Sequence, residues 1–272
     1  ARRRGLTIGP QGPDGTSPIS GNITPEMRAG LDAIFAKSAA PGMCSPADEQ
    51  PVVDGQPDEK AVAGDARSAA QRRHDALAMM VRSTLMSGNL GSHHGLPVTI
   101  IATATLEDLQ NKTGVAQTAT GTRLPIRDVI RLSAHASHYL LLFDKAKRCR
   151  LYKGRTTRLA TPAQRLVLTA TERGCTKPGC TVPAAWSQVH HITDWAKGGP
   201  TDIDNLTLSC GPHNRLIDET GWTTRKNKDG TTEWIPPPNH DHGQPRTNTY
   251  WHPQKMTGED DDDDDEDEAE SA

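Results

Sequence analysis

Between residues 175 and 218 the chain reads C-T-K-P-G-C-T-V-P-A-A-W-S-Q-V-H-H-I-T-D-W-A-K-G-G-P-T-D-I-D-N-L-T-L-S-C-G-P-H-N-R-L-I-D. Cys175 and Cys180 face each other across a tight Pro-Gly turn. Thirty residues after Cys180, Cys210 and His213 form a second short-loop pair. One Cys–Cys and one Cys–His pair can supply the four donors of a closed tetrahedral zinc site. Cys175, Cys180, Cys210 and His213 are therefore the predicted ligands of a structural Zn²⁺. A small domain with few aliphatic residues gains folding free energy directly from such an ion. Cys44 and Cys149 have no comparable partners and read as ordinary thiols.

Inside that frame the period-2 stretch Trp186 to His190 predicts a strand, and Leu206 to Leu208 a second one. Pro212 to Glu219 predicts a short helix that carries Asn214 and Asp218 at i and i+4, on one face. Thr161-Pro162 opens another helix, with Leu166, Val167 and Leu168 on its apolar side and Gly174 at its end. Trp186, Trp195 and Trp222 are expected to fill the small core. The composition changes near Thr161, since all five tryptophans lie beyond residue 185.

Upstream, Thr24-Pro25-Glu26 is a helix start, and Met27, Leu31, Ile34 and Phe35 follow at helical spacing. A longer helix is predicted from about Glu59 to Ser87. A buried strand is predicted over Val98 to Thr103, and a short helix from Thr105 to Gln110. Another helix is predicted over Ile126 to Ala136, then strands over Tyr139 to Phe143 and Cys149 to Leu159. The fold class expected is α+β. An extended segment (1–23) leads into a helix-rich domain (24–160). A zinc-stapled unit follows (161–235), then a Pro-rich, acidic, disordered tail (236–272).

The 272 residues suffice for one or two domains. Leu, Ile, Val and Phe make up about 16% of them, which favours modest folded units over one large core. The net charge of −3 conceals an asymmetry: eleven acidic residues and no basic one lie between Glu259 and Glu270. The rest of the chain is basic, with Lys145, Lys147, Arg148, Arg150, Lys153, Arg155 and Arg158 just ahead of the zinc unit and Arg225, Lys226 and Lys228 after it. Such cations suit phosphate neutralisation, and a polyanionic partner such as DNA is expected. The acidic run reads either as a competitor for that partner or as a solvated tail. No apolar run is long enough to span a membrane and no signal-peptide pattern opens the chain. Five cysteines, three of them in the zinc frame, point to a reducing cytoplasm. The first residue is Ala, which raises the expectation of a piece of a longer reading frame.

The order His-His, Asn, then a ligand-bearing helix resembles the ββα-metal, or HNH, endonuclease motif. Over most of its length the chain is similar to the 13E12 repeat family of actinobacterial proteins, in which a helical domain precedes an HNH module. L-P-V-T-I-I from Leu96, Pro178 to Trp195, the stretch from Gly221 and the stretch from Gly243 carry that likeness. The resemblance implies a metal-dependent endonuclease acting on DNA. In it His191 is the general base and Asn205 holds His191 in orientation across the loop. His190, Asn214 and Asp218 hold the catalytic cation. The chain departs from the commonest pattern, which has His where Asn214 and Asp218 stand. An Asn carbonyl and an Asp carboxylate suit Mg²⁺ or Mn²⁺. The other expectations are a catalytically weak or inactive zinc-containing fragment that binds nucleic acid, and a purely structural zinc domain that serves protein contacts.

Overall fold

The computed structural model describes residues 3–46, 48, 51–133 and 154–252. The expected strand over Tyr139 to Phe143 lies outside these residues, as do Cys149, the cations Lys145, Lys147, Arg148, Arg150 and Lys153, and the acidic run. Helices and strands are mixed, and the chain divides into two compact units, 1–99 and 100–272.

The first unit opens on an antiparallel hairpin, β1 (Gly5–Ile8) and β2 (Ile19–Asn22). Helix α1 (Pro25–Ser38) starts as its sequence predicts, with the Thr24 hydroxyl accepting from the Met27 N–H at 3.2 Å. The single helix expected from Glu59 to Ser87 is two, α2 (Glu59–Ala63) and α3 (Ala69–Met86). Tertiary bonds break it. The Asp65 carboxylate accepts from the Gly42 and Arg67 N–H groups, and Ser68 and Gln71 then form a capping box that restarts the helix. Arg67 ties the junction together, donating to Asp65 at 2.9 Å, to Asp75 at 2.7 Å and to the Met43 carbonyl at 2.8 Å. A small ladder, β3 (Ser92–His93) with β4 (Leu96–Pro97), ends the unit.

In the second unit the strand expected over Val98 to Thr103 shrinks to β5 (Ala102–Thr103). Helix α4 (Leu106–Asn111) follows, capped by Thr105 as predicted. β6 (Val115–Thr118) and β7 (Arg123–Pro125), which no sequence pattern announced, complete an antiparallel sheet in the order β5-β6-β7. Helix α5 (Ile126–Ser133) comes next.

The zinc frame then folds around one long-range scaffold. Helix α6 (Pro162–Glu172) begins with a Thr161/Gln164 capping box. It packs on the hairpin of β8 (Ser187–His191) and β9 (Leu206–Cys210), and α7 (Gly211–Thr220) runs directly out of β9. Val167, Leu168, Ala184, Ile203, Leu206 and Leu208 form the core. A last hairpin, β10 (Thr223–Lys226) with β11 (Thr232–Ile235), closes against it.

This unit buries polar groups as well, and Glu172 and Trp234 have partners of known chemistry. The Glu172 carboxylate accepts from the Leu208 N–H at 2.6 Å and from the hydroxyls of Thr207 and Thr232 at 3.0 Å, and it pairs with Lys226. The Trp234 indole donates to Thr176 Oγ1 at 3.0 Å. The tryptophans correct the expectation. Trp186 is 64% exposed, Trp195 and Trp222 are half-buried, and Trp234 and Trp251 are the buried ones. The reason is position: Trp234 points inward from β11, whereas Trp186 sits on a 3-10 turn at the rim.

The stretch expected as tail from residue 236 is packed on the zinc frame as far as His252. Asn248 Nδ2 donates to the carbonyls of both Cys175 and Cys180, at 2.7 and 2.8 Å. The Trp251 indole lies so close to Gly174 that a Cβ there would stand 2.2 Å from it. Among the described residues no helix is long and apolar enough to cross a membrane.

Candidate metal centre and active site

The four predicted zinc ligands converge. Cys175, Cys180, Cys210 and His213 place their donor atoms within 4.8 Å of one another, with all three thiols buried. Cys175 leaves the end of α6 through Gly174. Cys180 follows the Pro178–Gly179 turn, in which Gly179 has φ +75° and the Cys180 N–H donates to the Lys177 carbonyl. Cys210 ends β9, and His213 stands on the first turn of α7, its Nδ1 3.2 Å from Cys210 Sγ and 3.4 Å from Cys175 Sγ.

Burial pushes the Cys175 and Cys180 thiols up and the His213 imidazole down, with Lys177 adding to the latter. The cluster of soft donors therefore lies in surroundings hostile to uncompensated thiolates, which a dication relieves. A tetrahedral ion with Zn–S bonds of about 2.3 Å needs neighbouring sulfurs about 3.8 Å apart. The donor set fits zinc.

β8 continues beside this cluster and carries both histidines. Successive side chains of a strand point to opposite faces, so His190 and His191 serve different neighbourhoods. His190 Nδ1 lies 2.7 Å from Asn214 Oδ1, while Asn214 Nδ2 donates to Gln188 Oε1 at 2.9 Å. With its amide group engaged by Gln188, Asn214 offers its oxygen to the imidazole. Asp218, one turn further along α7, is exposed and acts on His190 through its charge. Burial lowers the pKa of His190, and Asn214, Asp218 and Asp194 oppose that shift. The strand and the helix thus bring His190 and Asn214 together, with Asp218 one turn further along α7.

His191 turns the other way. Its Nε2 lies 3.1 Å from Thr201 Oγ1, and its ring meets Trp195 edge-on at 6.0 Å. Thr201 is fully buried. Its hydroxyl has one proton and donates it to the Thr157 carbonyl at 2.6 Å, so toward His191 it can only accept. That assigns the neutral tautomer: Nε2 carries the hydrogen and Nδ1 keeps its lone pair. Burial holds the His191 pKa below its usual value, and the charges of His190 and Arg158 push the same way.

Asn205 clamps the loop after His191 and makes its bonds to the backbone. It accepts from the Thr193 N–H at 2.8 Å and donates to the carbonyls of Thr193 and Pro200 at 3.0 and 2.8 Å. Its own carbonyl receives the Ile192 N–H at 2.9 Å. The loop closes so tightly that a Cβ on Gly199 would stand 1.8 Å from the Thr193 oxygen, which only glycine avoids.

Sequence reasoning missed Thr201, Gln188 and Gly199. A lone threonine has no spacing to betray it, although the Gly-Gly-Pro turn before it marks a sharp bend. Of the basic group ahead of the module, Arg155 stacks 4.3 Å over Trp195 and donates to the Trp195 and Gly199 carbonyls, which makes it a brace for the loop. Lys177 likewise lies 4.3 Å over Trp222.

Two family models match the chain: a domain of unknown function, DUF222, over residues 1–171, and the HNH endonuclease over residues 175–215. An uncharacterized protein of Mycobacterium bovis and one of Mycobacterium tuberculosis are each 55% identical over 261 residues, and a second Mycobacterium tuberculosis protein is 54% identical over the same length. The match covers 96% of this chain and 57% of each relative. No solved structure matches it. With its helix-containing first part under one model and its Cys/His-framed hairpin and helix under the other, the chain belongs to the DUF222 family and carries an HNH endonuclease domain on its C-terminal side.

Proposed function

We propose that this chain is a metal-dependent endonuclease that hydrolyses DNA phosphodiester bonds. The observation that carries the reading is the split of one strand's two histidines. His190 is bonded to Asn214 of α7, and His191 is locked by Thr201 in the tautomer a base requires. His190, Asn214 and Asp218 would hold a divalent cation. The 2.7 Å hydrogen bond between His190 Nδ1 and Asn214 Oδ1 supports this reading, since it keeps two of the three side chains side by side. An oxygen-rich set of this kind favours Mg²⁺ or Mn²⁺. When bound, such a cation neutralises charge on the scissile phosphate and stabilises the leaving 3′ oxygen.

The chain's own residues do the rest. His191 Nδ1 takes the proton of the attacking water, and the positive charge that forms on the ring is shared through Nε2–H with Thr201. Asn205 and Gly199 keep the loop behind the imidazole from shifting. Arg158, close enough to depress the His191 pKa, supplies a positive charge for the substrate phosphate. The products are a 5′ phosphate and a 3′ hydroxyl. The 13E12 resemblance, the domain limits 24–160 and 161–235, and a cytoplasmic setting with free thiols belong to the same reading.

Plasmid nicking with added Mg²⁺ or Mn²⁺ tests it: wild type cuts and His191→Ala does not. Equal cutting by the two rules out His191 as base. Asn214 favours one rival, a zinc-containing module that binds nucleic acid without cutting. Salt-dependent DNA binding with no cleavage under any divalent ion identifies that case.

A further inference from the structure

Among the described residues, the β1–β2 hairpin has an apolar face that is left exposed. Leu6 pairs across the ladder with Gly21, and Ile8 with Ile19, so Leu6, Ile8 and Ile19 share one side. They are 59%, 66% and 59% exposed. Thr7 and Ser20, paired on the opposite side, are polar. A two-stranded sheet alone is at best marginally stable in water and persists by packing one face on something. Three large aliphatic side chains on one small face mark a surface built to be covered. The rest of the first unit shows the same want: along α3 only Ala76 is buried, and Val81 and Met86 are exposed.

The occupant follows from chain length. The matched 261 residues make up only 57% of each mycobacterial relative, so these proteins carry a large further stretch of polypeptide. We propose that the Leu6–Ile8–Ile19 face is a docking surface for that further stretch, an apolar-sided segment that packs on the hairpin as a second layer. The inference involves neither DNA nor metal and stands apart from the nuclease reading.

The test co-expresses the full 272-residue chain with the part of the 55%-identical Mycobacterium tuberculosis relative that lies outside the match. Complex formation is read by size-exclusion chromatography with light scattering, and affinity by calorimetry. A one-to-one complex is expected. Ile8→Lys with Ile19→Lys weakens it by at least about tenfold, and the milder Leu6→Ser also weakens it. Thr7→Lys with Ser20→Lys, on the polar side, changes affinity by less than about threefold. Circular dichroism melts confirm that each variant is folded. Absence of a complex overturns the proposal, as does binding that ignores Ile8 and Ile19. So does a dimer of the wild-type chain alone that the lysine pair dissolves, since the face then takes a second copy.

Discussion

His191 Nε2 lies 3.1 Å from the hydroxyl of Thr201, which donates its own hydrogen bond to the carbonyl of Thr157 at 2.6 Å. The pairing decides which nitrogen of His191 is basic. Thr201→Val removes the acceptor, frees the ring to take either tautomer and leaves the fold nearly isosteric. Nicking by Thr201→Val should fall by about 10- to 100-fold, with Thr201→Ser close to wild type. Nitrogen chemical shifts of His191 provide the second readout: the Nε2–H form dominates in wild type and loses ground in the valine variant.

The rate–pH profile follows from the direction of the His191 shift. Burial, His190 and Arg158 together lower its pKa from 6.5, and a base acts in its neutral form. The acid limb of nicking therefore lies below pH 6.5, and the rate is flat from there to about pH 8. Arg158→Ala removes one depressing charge and moves that limb upward. A wild-type rate still climbing tenfold per pH unit above 7 excludes His191 as the titrating group.

Zinc content and stability should separate the two metal sites. The purified chain is expected to hold one zinc ion per molecule by elemental analysis. Cys175→Ser or a strong chelator removes it and abolishes the cooperative thermal transition of the HNH domain. His190→Ala retains the zinc and the transition while eliminating nicking. Loss of zinc in His190→Ala contradicts the division of ligands.

Glu172 offers a test of the scaffold. It is buried beneath the hairpin and serves a backbone N–H, two hydroxyls and Lys226. Glu172→Gln leaves the Lys226 ammonium, itself largely covered, without its counter-charge. The cost is about 3 kcal/mol or more in urea unfolding. Pairing Glu172→Gln with Lys226→Met recovers part of that loss, since the double variant leaves no uncompensated charge. Additive effects of the two single changes contradict the coupling.

The metal quartet was legible because ligand spacing along the chain is nearly all that a small zinc site requires. The hairpin and α7 were legible too, through alternation at Val189 and His190 and the helical spacing of Asn214 and Asp218. Thr201 was not, because its role comes from a fold that brings residues 157, 191 and 201 together. The break between α2 and α3 was hidden for the same reason, since the groups that interrupt it, Gly42 and Met43, lie more than twenty residues away. The strands T-T-R-K of β10 and T-E-W-I of β11 are too short and polar to show a hydrophobic period, so Trp234 was not singled out for the core it occupies.

Asn248 and Trp251 have a practical consequence for anyone trimming this protein to its HNH domain. Ending an expression clone at Ile235, the limit the sequence suggests for the zinc-stapled unit, would delete the amide that spans both cysteine-loop carbonyls and the indole that seals Gly174. The shortest piece that keeps the metal loop braced from both sides extends to His252.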